Sequence, residues 1–168
     1  AIKLFEESKP VRQGDFVDRY LRETRGLSLQ GGLAPADLRG WRIYNRDLKD
    51  RGIGTYPLAM VAAVRAADGR IIAAHRTYLY ELANGRVVKL SDPEVPESHR
   101  VRESKKALAS TLGGAIHLGI DSEEIGLGEG IETARGLAAA TRLVCWSTLS
   151  SAGTLGGVGA GGVEVGVG

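Results

Sequence analysis

A glutamate stands between two glycines in the segment GLGEGIETA, with Glu129 directly after the apolar tetrapeptide IGLG at residues 125–128. A short apolar run of this kind predicts a buried parallel strand, and open α/β sheets gather their ligands at the carboxyl edge of such strands. Gly128 and Gly130 allow tight backbone geometry and close approach of a substrate, while the helix expected to start near Glu132 aims its positive dipole end at the same edge. A carboxylate placed there has little structural reason to exist. The plainer alternative is that Glu129 caps the helix or pairs with Arg135, and that Glu132, three residues on, is an ordinary acid of a first helical turn.

Other chemistries fail on spacing. A dinucleotide fingerprint starting at Gly126 would need glycine at 131, where Ile131 stands, and two glutamates would repel a pyrophosphate. No Walker motif is present, and Ser151 in LSSAG lacks the spacing of a nucleophile elbow. One cysteine, Cys145, and three histidines exclude a disulfide framework and a Cys-rich zinc module. His75, within a strand pattern, reads as a strand residue before a ligand.

The elements that must position Glu129 can be read from pattern. Residues 2–25 place apolar side chains at helical spacing, broken at Pro10 and Gly14, which predicts two short helices, the second capped by Asp15 and closed at Gly26. APADLRG is expected to be a capped turn. YPLAMVAAVRAADGRIIAAHRTYLYELANGRVVKL reads as three antiparallel strands joined at Asp68-Gly69 and Asn84-Gly85, with Arg65, Arg70, Arg76 and Arg86 supplying positive charge around them. A polar loop then runs into a basic turn or strand at Lys105 and Lys106, and Ala115–Leu118 is a short strand candidate. From residue 121 the order is strand, turn, Ala-rich helix, strand, a parallel βαβ unit. In the Gly-rich tail only Val163–Val167 can form a strand.

Charge divides along the chain. Residues 1–120 hold 20 Lys/Arg against 14 Asp/Glu, and residues 121–168 hold 2 against 6, although the net charge is only +2. A basic lobe for phosphates beside an acidic one for a cation suits an enzyme of nucleic acid; a solvated surface with chance asymmetry has the same composition. No apolar run approaches the roughly 20 residues that span a bilayer, and no signal peptide is evident, so a cytoplasmic protein with no membrane partner is expected.

EGIETA after an apolar strand, followed by an Ala-rich helix and a strand running into LSSAG, resembles the Toprim fold of primases and topoisomerases. Upstream, YPLAMVAAVRAADGRIIAAHRTYL, a Lys-Lys pair and LGGAIHLG are similar to the Toprim-containing primase-like proteins of phages, plasmids and integrating elements. The likeness extends over roughly residues 2–155. It implies an α+β to α/β chain in two parts: a basic lobe with an antiparallel meander over 1–120, and a partial Rossmann-like Toprim lobe over 121–168. By the same resemblance Glu129 is the catalytic carboxylate, and Glu129 with Glu132 would hold Mg²⁺ or Mn²⁺. Arg76, Lys105 and Lys106 would line the groove for nucleic acid or nucleotide.

The implied activity is primer synthesis from nucleoside triphosphates on single-stranded DNA, with a replicative helicase as a possible partner. The family's Asp-x-Asp pair has no counterpart, since no Asp follows Asp121. The expectation is therefore a piece whose parent supplies those acids and which is inactive alone. Two rivals remain: a non-catalytic single-strand-binding module, and a Toprim nuclease or topoisomerase-like enzyme, for which Tyr56, Tyr78 and Tyr80 look structural. Few aromatics are available as a stacking platform for single strands.

Overall fold

The computed structural model describes residues 1–27, 35–42, 58–119 and 123–149. It is a mixed α+β structure of two sheets, mostly antiparallel, with short helices. The chain opens with α1 (Ile2–Glu7), the two-residue strand β1 (Lys9–Pro10) and α2 (Phe16–Arg19), which widens into a π-type turn over Tyr20–Thr24. Asp15 caps α2 as its position predicts: Val17 N donates to Oδ1 at 2.8 Å and Asp18 N at 2.9 Å. Gly26 follows with φ +68°.

The first sheet is built from β2 (Leu38–Arg42), β3 (Leu58–Arg65), β4 (Ile71–Glu81), β5 (Val87–Lys89) and β6 (Lys105–Leu108), with β1 at one edge. β5 and β6 both pair antiparallel with β4. The expected meander is present, and its two turns are alike. Gly69 N donates to Ala66 O and Gly85 N to Leu82 O, and only the glycines take positive φ, +81° and +83°. Each is thus a type I turn closed by a left-handed glycine. The APADLRG turn is shorter than expected. Leu38 N donates to Pro35 O, and Leu38 to Gly40 already belong to β2, because pairing with Ala62 to Met60 outweighs local turn preference.

Strand alternation gives this sheet two buried faces. Met60, Ala62, Val64, Ala73, Leu79 and Val87 pack in one cluster, while Ala59, Val61, Ala63, Ala74, Tyr78 and Val88 pack in another with Phe5, Leu90 and Val95. The near-continuous apolar reading of β3 follows from this burial on both sides.

The second sheet has the order β7-β9-β8, with β7 (Ile116–His117) antiparallel to β9 (Val144–Ser147) and β8 (Ile125–Gly128) parallel to it. Helix α3 (Ile131–Thr141) crosses between β8 and β9, as expected from the sequence. Bare glycines let it sit close: a Cβ on Gly128 would come within 2.7 Å of the Ala134 backbone, and one on Gly126 within 3.1 Å of Leu137 Cδ2. Gly128 therefore makes room for the protein's own helix, whereas the sequence suggested room for a substrate.

β7 lies before residue 120 but belongs to the second sheet, and Ile131, Ala134, Ala138 and Cys145 share one apolar cluster with Val17, Tyr20 and Leu21. The division at 120 is thus crossed by both pairing and packing. Asp37 ties the seam: Arg65 grips its carboxylate through Nε and Nη2 at 2.7 to 3.0 Å, and Asp37 Oδ2 accepts from His117 N at 3.3 Å. The Val163–Val167 strand lies outside the described residues, as does Tyr56. Among the described residues no helix is long and apolar enough to cross a membrane.

Candidate functional site

Glu129 stands where expected, at the carboxyl end of β8 just before α3, and is exposed. Its carboxylate makes no hydrogen bond or ion pair with a described residue, so it neither caps α3 nor pairs with Arg135. Its backbone carbonyl accepts from Ser147 Oγ at 3.3 Å, which ties the junction to β9.

Glu132 has the opposite surroundings. Its side chain is only 11% exposed, and Oε1 takes the Tyr20 hydroxyl at 2.8 Å and Lys89 Nζ at 2.7 Å, with Lys105 Nζ 3.6 Å from Oε2. Burial alone would raise its pKa, but the Lys89 bond, its own backbone N–H and the Lys105 charge outweigh that and bring it down to about 2. Tyr20 is pushed up, first by burial and then by the Glu132 charge, so its hydroxyl stays a donor. Burial lowers Lys89, with Glu132 acting against it.

Two further polar groups share the sheet face of Lys89 and Lys105. His75 and Thr77 are buried, and their Nδ1 and Oγ1 have no hydrogen-bond partner among the described residues. Burial and then the nearby Lys105 charge hold the His75 pKa down to about 4, which keeps the ring neutral near pH 7. Among the described residues no acid joins His75 to make a ligand set.

Strand register separates the basic residues singled out by sequence. Arg76 lies opposite Lys106, and Thr77 opposite Lys105. Lys105 thus faces the seam with Glu132, while Arg76 and Lys106 lie on the other face of the same edge. Two cations directly across from each other repel. The remaining arginines expected to surround the meander are matched by acids, Arg65 with Asp37, Arg70 with Asp68 and Arg86 with Glu94. Arg76 has no such partner among the described residues, and its guanidinium lies 5.9 Å from the Tyr78 ring centroid.

Glu129 and Glu132 do not form a cation site with what surrounds them. Among the described residues no group of three His, Cys, Asp or Glu could hold a metal, and the charge of Glu132 is already met by lysines. A hard divalent cation needs several open oxygen ligands, so the described residues do not fit Mg²⁺ or Mn²⁺.

Sequence reasoning missed Tyr20 and Lys89 as partners of Glu132. The signal for Lys89 was its register on β5, opposite Leu79 on the seam face. For Tyr20 nothing short of tertiary structure brings residues 112 positions apart together.

The fold and site define a mixed α+β protein whose two sheets are joined by a half-buried carboxylate held between lysines, with a second, open carboxylate at the tip of the parallel strand pair. The chain belongs to the family described as domain of unknown function DUF7146, whose model matches residues 1–118. No curated protein and no solved structure matches it significantly.

Proposed function

We propose that the chain is the nucleic-acid-handling part of a Toprim-type DNA primase or primase-helicase, with the β4–β6 edge holding a single strand near Glu129. The observation that carries this reading is the approach of Lys105, on the basic edge strand, to the first turn of the helix that follows Glu129. Parallel strands joined by a helix, with an open glutamate at the carboxyl end of the first, agree with a Toprim-like half-sheet. Phosphates would meet the half-exposed Lys105 from the seam side and Arg76 with Lys106 from the other face. The described residues supply no cation site, so no catalytic step is routed through one.

A second reading, a non-catalytic single-strand-binding module, is favoured by the lysine-matched state of Glu132. The two separate in one set of experiments. Binding of single-stranded DNA should weaken steeply with salt, and Arg76→Ala and Lys106→Ala should each lower the log–log salt slope by about 0.7. Glu129→Gln should leave binding unchanged. Salt-independent binding, or none, would remove the proposal. Primer synthesis by the full-length protein would then divide the readings, since equal activity of wild type and Glu129→Gln leaves only the binding module.

A further inference from the structure

Two ammonium groups share one carboxylate at the seam, and they hold it unequally. Lys89 Nζ reaches Glu132 Oε1 at 2.7 Å and is 20% exposed, whereas Lys105 Nζ stands 3.6 Å from Oε2 and is 40% exposed. The first distance is that of a charge-assisted hydrogen bond; the second lies beyond hydrogen-bond reach and leaves charge attraction alone. Tyr20 adds its hydroxyl to Oε1 at 2.8 Å. Glu132 is therefore held from β5 and from the turn after α2 before Lys105 is counted.

Charge counting points the same way. One carboxylate cancels one of the two lysines, and a surplus positive charge remains at the seam. Arg25 adds to it: exposed at the end of the turn after α2, it forms no ion pair with a described residue. Burial, and after it the charges of Lys105 and Arg25, lower the Lys89 pKa against the pull of Glu132. Position makes Lys105 the cation that can turn outward. It begins the edge strand β6, and Ala107, two residues along on the same face, is exposed. Lys89 lies opposite Leu79 in β5 and is the less exposed of the two. Without Lys105 the carboxylate keeps Lys89 and Tyr20; without Lys89 it loses its closest cation.

We propose that Lys105 is an exchangeable cation: Glu132 holds it while no strand is bound, and a phosphodiester of a single strand takes it over. Glu132 then sets how tightly the seam side of the β4–β6 edge binds, because every phosphate that reaches Lys105 competes with this carboxylate. The inference rests on the reading of that edge as a single-strand site. The exchange also removes an ion pair between β6 and α3, so occupation of the edge loosens its tie to the helix that follows Glu129. Lys89 and Tyr20 stay on Glu132 throughout, which keeps the half-buried carboxylate matched in both states.

The test uses the full chain with oligothymidylate as the strand. Lysine acetylation read by mass spectrometry should modify Lys105 faster than Lys89 in the free protein, and saturating oligothymidylate should protect Lys105 while leaving Lys89 unchanged. Glu132→Gln should tighten binding about three- to tenfold, the effect of removing one competing charge at this separation in a water-exposed setting. The same substitution in a Lys105→Ala background should leave affinity unchanged. Because Glu132→Gln also weakens the fold, the acetylation arm is read on the unaltered chain. The exchange is overturned, with the strand site intact, if oligothymidylate binds with a salt slope that Arg76→Ala lowers and yet leaves Lys105 as reactive as before. It is overturned equally if Glu132→Gln fails to tighten binding, if it tightens binding as much without Lys105, or if polyglutamate protects Lys105 as well as the oligonucleotide does. Absence of any binding removes the strand reading and the exchange together.

Discussion

The seam between the sheets and the outer edges of the first sheet use charge in opposite ways. At the seam each acid meets its cation or hydroxyl: Glu132 with Tyr20, Lys89 and Lys105, and Asp37 with Arg65 and the His117 backbone. At the edges, Lys9, Arg12, Arg42 and Arg76 have no acidic partner among the described residues. A buried charge left unmatched is costly, so the seam can hold only matched ones. Exposed cations carry no such cost, and they are where an anionic ligand gains most. The contrast separates the charges that hold the sheets together from those available for binding.

The sharpest way to break the comparison is to unmatch the seam. Glu132→Gln leaves the half-buried Lys89 without a counter-charge, and a loss of about 2 kcal/mol is expected in denaturant unfolding. A loss below about 1 kcal/mol would mean that the seam tolerates an unmatched lysine and that the distinction fails. Protons test it next. The unfolded chain takes up a proton on His75 near its ordinary 6.5 and the folded one only near 4, so stability should fall as pH drops from 6.5 to 4 and level off for this group below that. Glu132 is depressed as well, so its contribution is present above about 4.5 and is lost as pH falls toward 2. Melting curves of His75→Gln should lack the decline in the upper window and keep the lower one. The smallest effect belongs to the open carboxylate: Glu129→Gln should change stability by less than about 0.5 kcal/mol, and a larger change would move Glu129 into the seam class.

Much of this arrangement was legible in the sequence. The Asp-Gly and Asn-Gly turns, the Asp15 cap and the strand-helix-strand order after residue 121 depend on local chemistry, and they stand where the residues predict. Glu129 was locatable for the same reason, since its position follows from an apolar run and a helix start. What could not be read was company. Glu132 and Glu129 look equivalent in GLGEGIETA, yet one is half-buried between lysines and the other is open, a difference made by Tyr20 and Lys89 arriving from distant strands and turns. Likewise Lys105 and Lys106 are neighbours in sequence, and strand alternation sends them to opposite faces.

The shared apolar cluster has a consequence for how the protein comes into being. The family match ends at residue 118, but Val17, Tyr20 and Leu21 complete their packing with Ile131, Ala134, Ala138 and Cys145. During synthesis the first sheet emerges with one face only partly covered, by α2 and the turn after it, and with two lysines lacking their counter-charge until α3 follows. The matched segment is therefore smaller than the unit whose packing it shares, and a chain cut at 118 should be prone to self-association.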